Sequence, residues 1–106
     1  MTITLLIIVW FHFVADFIFQ TDKIAKGKST SNIVLATHVS IYSLLFFLLS
    51  WKYAVVNAIL HFITDYITSR LTTYYWSKNN RRAFFITIGA DQAVHLTCLI
   101  LTLPLI

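Results

Sequence analysis

Residues 54–71 read AVVNAILHFITDYITSRL, and Asn57, His61 and Asp65 recur in this run four residues apart. The run is otherwise apolar enough to lie inside a bilayer or a protein core. Spacing of i, i+4 sets the three polar groups on one face of a helix, a turn apart. An aspartate at the centre of a membrane helix is penalised by about 2.5–3.5 kcal/mol. A face so burdened needs a partner.

The partners lie elsewhere in the chain. Residues 12–16 read HFVAD, residues 61–65 HFITD, and residues 91–95 DQAVH, the last in reversed order. Residues 36–42, ATHVSIY, add His38 and Tyr42. All four histidines, and three of the four carboxylates, thus fall within apolar stretches.

Those stretches are four, at approximately 2–20, 33–50, 53–75 and 83–104, each near the ~20 residues that span hydrocarbon. The chain of 106 residues is 58% hydrophobic and 11% charged, with no glutamate, against about 25% charged residues in soluble domains. Its mean hydropathy is +0.78. The expectation is a single all-α domain over residues 1–106, an integral membrane antiparallel four-helix bundle. The first stretch begins almost at Met1, without a basic leader or a small-residue cleavage site, and is read as a retained helix. Cys98, the only cysteine, reads as a small buried hydrophobe.

Seven of the eight basic residues fall in or beside the first and third connections. The positive-inside rule places those connections in the cytoplasm and both termini outside. The net charge of +4 is accordingly assigned to topology and anionic headgroups, and no nucleic acid is expected. Trp51, Tyr53, Tyr74, Tyr75 and Trp76 read as an interfacial belt.

With that topology, the reversed order in DQAVH is informative. Helices one and three run inward and helix four outward, so every pair has its aspartate on the cytoplasmic side of its histidine. At ~1.5 Å rise per residue the groups share a band roughly 6–18 Å from the cytoplasmic helix ends. Three intramembrane aspartates would cost on the order of 8–10 kcal/mol by simple addition. A divalent metal gives carboxylates and imidazoles a common partner.

The expected metal ligands are His12, Asp16, His38, His61, Asp65, Asp91 and His95. They suit one or two divalent ions, zinc, manganese or iron. Such a centre lowers the pKa of a water toward ~7 and makes it a nucleophile. The reading is metal-assisted hydrolysis of a lipid-borne ester or phosphoester. Asp16 or Asp65 would be the general base, and His38 a ligand or acid/base. Gln20, Asn57, Thr64, Thr87 and Gln92 are candidates to support the ligands or touch substrate, as are Arg70 and Lys23 at the basic rim. Two other readings use the same residues: a transporter or channel subunit passing protons or cations, and a structural, holin-like membrane protein with interhelical polar contacts. Membrane lipids, a lipid-like substrate and a second copy of the chain are the expected partners.

The segments HFVADFIFQTDKIAKGK (12–28), ATHVSIY, HFITDYITSR and DQAVHL resemble, in this order, a family of small polytopic membrane proteins of bacteria and phages, domain of unknown function 3307. The resemblance implies a small polytopic fold in a bacterial inner membrane and supplies no reaction. In residue type and layout the His/Asp helices are also similar, more loosely, to membrane-bound metal-dependent hydrolases.

Overall fold

The structure, a computed structural model, describes every residue from Met1 to Ile106 and is all helical. Helix α1 (Thr2–Phe13) continues into a π-helical turn, Val14–Ile18. A short helix, α2 (Asp22–Gly27), precedes α3 (Asn32–Phe46), α4 (Trp51–Ser77) and α5 (Arg81–Leu101), and a 3₁₀ turn, Leu103–Leu105, follows. The four long helices match the four apolar stretches. Helix α2 is additional: it folds within the connection TDKIAKGKSTSN that reads as loop.

The starts of α2 to α5 are encoded locally. Thr21, Ser31, Ser50 and Asn80 each accept a hydrogen bond from the backbone N–H three residues on, at 3.3, 3.3, 3.4 and 3.1 Å. These side chains satisfy amides that have no partner inside the helix. Helix α4 ends on Asn79 with φ of 56°, the left-handed geometry that asparagine tolerates and other side chains resist. The Asn80 N–H then reaches back to the Tyr75 carbonyl at 3.0 Å, closing the α4–α5 hairpin.

Helix α4 is central and packs chiefly on α5 and α3, while α1 closes the bundle against α3 and α5. The interior has two parts. Ile8, Tyr42, Phe46, Tyr53, Ala54 and Leu99 form an apolar cluster toward the end that holds both termini. Beyond it, toward the end that holds α2 and the α4–α5 turn, the interior is polar.

Of the 19 buried residues, ten are polar: His12, Asp16, His38, Ser43, Asn57, His61, Asp65, Ser69, Asp91 and His95. The exterior carries thirty exposed large hydrophobic residues, among them Ile3, Trp10, Ile33, Leu48, Ile59 and Phe85. So large a polar share of the buried residues departs from the usual soluble interior, where buried polar groups are the exception.

One helix, α5 with 21 residues, is both long and apolar enough to cross a membrane. Thr2–Ile18 and Asn32–Phe46 are apolar but shorter. Helix α4 has the length, 27 residues, but Asn57, His61, Asp65, Ser69 and Arg70 dilute its apolarity. Tyr53 also departs from the expected belt. It is fully buried and donates its hydroxyl to the Leu99 carbonyl at 2.7 Å, whereas Trp51, Tyr74 and Trp76 are exposed.

Candidate metal centre

Asp16 enters the bundle from the π turn. The Phe19 N–H bonds the Val14 carbonyl five residues back at 2.9 Å, and this widened turn sets the direction of the carboxylate. Such single π turns recur at functional sites. From α3 comes His38, from α4 His61 and Asp65, and from α5 Asp91 and His95. All six are buried.

Four ligand atoms converge: Asp16 Oδ1, His38 Nε2, His61 Nε2 and Asp65 Oδ2. His38 Nε2 lies 3.1 Å from Asp16 Oδ1, 3.2 Å from Asp65 Oδ2 and 3.1 Å from His61 Nε2. His61 Nε2 lies 3.2 Å from Asp65 Oδ2 and 3.6 Å from Asp16 Oδ1. A tetrahedral zinc with bonds of about 2.0–2.2 Å has ligand-to-ligand edges of about 3.3–3.6 Å. Five observed edges lie within or just below that range. Hydrogen bonding alone does not account for them, since two imidazole nitrogens can donate at most one bond each into the group.

A second group shares Asp16 and adds Asp91 and His95. His95 Nε2 is 3.2 Å from Asp91 Oδ1 and 2.9 Å from Asp65 Oδ1, so the two oxygens of Asp65 face the two groups. Asp91 is held from both sides. Thr68 donates to its Oδ1 at 2.5 Å and Gln92 to its Oδ2 at 3.1 Å. These buried His and Asp side chains can hold a metal ion.

Ring stacking fixes the imidazoles. His61 and His95 stack with centroids 3.8 Å apart and planes 10° apart, and Tyr42 covers the other face of His61 at 3.9 Å. His61 Nδ1 has no hydrogen-bond partner, so stacking and the convergent Nε2 contacts orient this ring.

His12 has a different place from its motif twin. Its Nε2 donates to Gln92 Oε1 at 2.6 Å, so its Nδ1 accepts from the Tyr42 hydroxyl at 3.0 Å. Both nitrogens are engaged, and neither belongs to the two convergent groups. Gln92 passes the restraint on by donating to Asp16 Oδ2 and Asp91 Oδ2, each at 3.1 Å. His12 thus positions carboxylates through Gln92.

The remaining expected residues divide. Gln20 lines the cavity described below. Asn57 lies away from the cluster and ties the Tyr53 carbonyl to Thr102 Oγ1 at 3.0 and 2.9 Å. Thr64 and Thr87 bond backbone carbonyls of their own helices. Arg70 lies on the Tyr66 ring at 3.6 Å and bonds Asn32, and Lys23 is exposed.

Three participants were not legible as site residues. Lys28 reaches in from the end of α2 and donates to Asp65 Oδ2 at 3.0 Å. Thr68 holds Asp91. Ser69, one turn beyond Asp65 on the same face, is buried with an unpartnered hydroxyl. Its i+4 spacing from Asp65 was the available signal. Lys28 reads in the sequence only as one of the rim lysines that set topology or attract a headgroup, because its reach to Asp65 depends on how α2 folds back.

A cavity of about 700 Å³ opens beside the cluster and is bounded by Asp16, Asp91, Gln92, Lys28 and side chains of α2, α4 and α5. His38, His61 and Asp65 do not line it. Asp16 is therefore the cavity-facing corner of the four-atom group.

The sequence model of the family described as Protein of unknown function (DUF3307) matches residues 1–105, and the chain belongs to that family. No curated protein and no solved structure matches the chain, and no match supports the looser likeness to metal-dependent hydrolases.

Proposed function

We propose that this chain is an integral membrane protein whose buried His/Asp cluster binds a divalent metal, and that the centre hydrolyses a lipid-borne ester or phosphoester. The near-tetrahedral group of Asp16, His38, His61 and Asp65 carries the metal reading. Charge supports it. Asp16, Asp65 and Asp91 contribute three negative charges and Lys28 one positive, so with neutral imidazoles the cluster carries −2, which one divalent cation neutralises. Buried charge is costly unless compensated. The apolar exterior and the apolar α5 support a bilayer as the surrounding solvent.

In this reading Asp16, His38, His61 and Asp65 would hold the ion, and Asp16, at the cavity-facing corner, is the one that can yield its place to a water, leaving the three protein ligands usual at catalytic sites. A divalent ion there would polarise a water and the substrate's carbonyl or phosphoryl oxygen. Of the two carboxylates expected as general base, only Asp16 reaches the cavity, so Asp16 takes the proton of the attacking water. The water oxygen bonds to the carbonyl carbon or phosphorus, the ester bond breaks, and the proton passes to the leaving alcohol. The Asp16, Asp91 and His95 group offers a weaker second position. Lys23 and Arg70 stay at the rim.

The packing at the end that holds both termini favours the hydrolase reading over the conducting one. Beyond His12 the bundle is filled by Ile8, Tyr42, Phe46, Tyr53 and Leu99, all nearly inaccessible. The direct test is turnover in proteoliposomes, with fluorogenic ester and phosphoester lipids. Activity lost to a chelator, restored by metal and absent in Asp16→Asn is the expected outcome. Chelator-resistant activity, no activity with either class, or proton flux in place of turnover would contradict the proposal.

A further inference from the structure

The cavity beside the cluster has two chemically different walls. On the α2 side stand Lys26 and Lys28. On the α4 side stand Thr68, Ser69, Thr72 and Ser77. The hydroxyl hydrogens of three of these are already used: Thr68 donates to Asp91 Oδ1 at 2.5 Å, Thr72 to the Ser69 carbonyl at 2.9 Å and Ser77 to the Tyr74 carbonyl at 2.6 Å. Toward the cavity they offer lone pairs. Gln20 Oε1 and Ser69 Oγ are buried without any partner, and both residues line the same space. Ser69 is only 5% exposed.

A ligand that satisfies these walls needs an anion for the lysines and hydroxyl donors for the acceptor-rich side. A bare anion would leave Gln20 Oε1 and the hydroxyl lone pairs unmatched, and would meet the Asp16 and Asp91 carboxylates. A neutral polyol would leave Lys26 without an anion and Lys28 with Asp65 alone. The cavity volume, about 700 Å³, falls within the range of about 300–1,000 Å³ usual for small-molecule sites. Phe17, Trp76 and Phe84 add apolar surface to the lining, suited to the part of an amphiphile next to its headgroup.

We infer that this cavity binds a phosphorylated polyol, its phosphate on the α2 lysines and its hydroxyls against the α4 wall. This deepens the hydrolase reading and rests on it for the role of the bound molecule as substrate. The binding itself stands on the two walls. The polyol phosphate is either a lipid headgroup or a free metabolite of the same chemistry.

Lys28 separates this inference from the metal reading, because its ammonium also lies on Asp65 Oδ2. In Lys28→Met, phosphate binding loses a cation, whereas a metal ion gains an uncontested carboxylate oxygen. The two affinities therefore move in opposite directions.

The test uses the full chain in phosphatidylcholine nanodiscs, titrated calorimetrically with glycerol 3-phosphate, glycerol and inorganic phosphate. Metal content is measured on the same samples. Glycerol 3-phosphate is expected to bind at least about tenfold more tightly than either half alone, and Lys28→Met to weaken it about tenfold or more. Ser69→Ala is expected to weaken it several-fold. A second arm uses discs of mixed phosphatidylglycerol and phosphatidylcholine. Selective retention of phosphatidylglycerol, lost in the same variants, identifies the lipid as the source, and binding of the free compound alone identifies a metabolite. Absence of both, or binding indifferent to Lys28→Met and Ser69→Ala, overturns the inference. Metal retained without polyol phosphate binding would leave the metal reading standing, and the converse result would remove the metal reading alone.

Discussion

His12 and His61 occupy the same pattern, HFVAD and HFITD, yet their neighbours give them different chemistry. His61 turns Nε2 into the convergent group, while His12 spends Nε2 on Gln92 and Nδ1 on Tyr42. The distinction yields a graded prediction. Groups that orient ligands typically change metal affinity by about 10–100-fold. His12→Ala and Gln92→Leu should each weaken the metal within that range and leave its stoichiometry intact at saturation, in an equilibrium titration. His61→Ala should abolish tight binding. Equal losses in all three variants would make His12 a ligand. The aspartates and histidines were legible in the sequence because their spacing and reversed order survive in the fold. Which of them converge and which stand outside the two groups was not, since it depends on contacts between helices, such as that of Gln92 with His12.

At the scale of elements, two features were hidden. Helix α2 lies in a connection whose lysines read as a topology signal, yet it delivers Lys28 to Asp65. The π turn at Val14–Ile18 changes the register by a single residue, which i, i+4 counting does not reveal. Deletion of Val14 should convert the π turn to regular helix and change the direction of the Asp16 carboxylate relative to α1. The expected outcome is native helicity by circular dichroism with turnover lost and metal affinity lowered. Retained turnover would show that the π turn has no part in placing Asp16. The α4–α5 turn offers a stability test that does not involve the site. Asn79 sits at φ 56°, so Asn79→Ala should destabilise the fold by about 1 kcal/mol and Asn79→Gly should be neutral or stabilising. Chemical denaturation in mild detergent measures both. The four long helices themselves were legible from the length and spacing of the apolar stretches, and the Ser and Asn caps of α3 to α5 agree with them.

Across the whole molecule, the interior holds three aspartates, four histidines and a lysine contact beside an apolar cluster, and the surface carries thirty large hydrophobic side chains. A chain so built should remain in the membrane fraction through alkaline carbonate extraction, and release into the aqueous phase would contradict the bilayer reading. Within the bundle the central claim is that the polar part of the interior exists to hold a metal. Elemental analysis of the purified chain tests this most directly, after removal of adventitious ions by a weak chelator. One tightly held zinc, manganese or iron ion per chain is expected, with a weaker second equivalent lost in Asp91→Asn. Asp65→Asn and His61→Ala should reduce the tight ion to background while helicity persists. Metal-free wild-type protein that is fully folded and takes up no divalent ion on titration would contradict the claim.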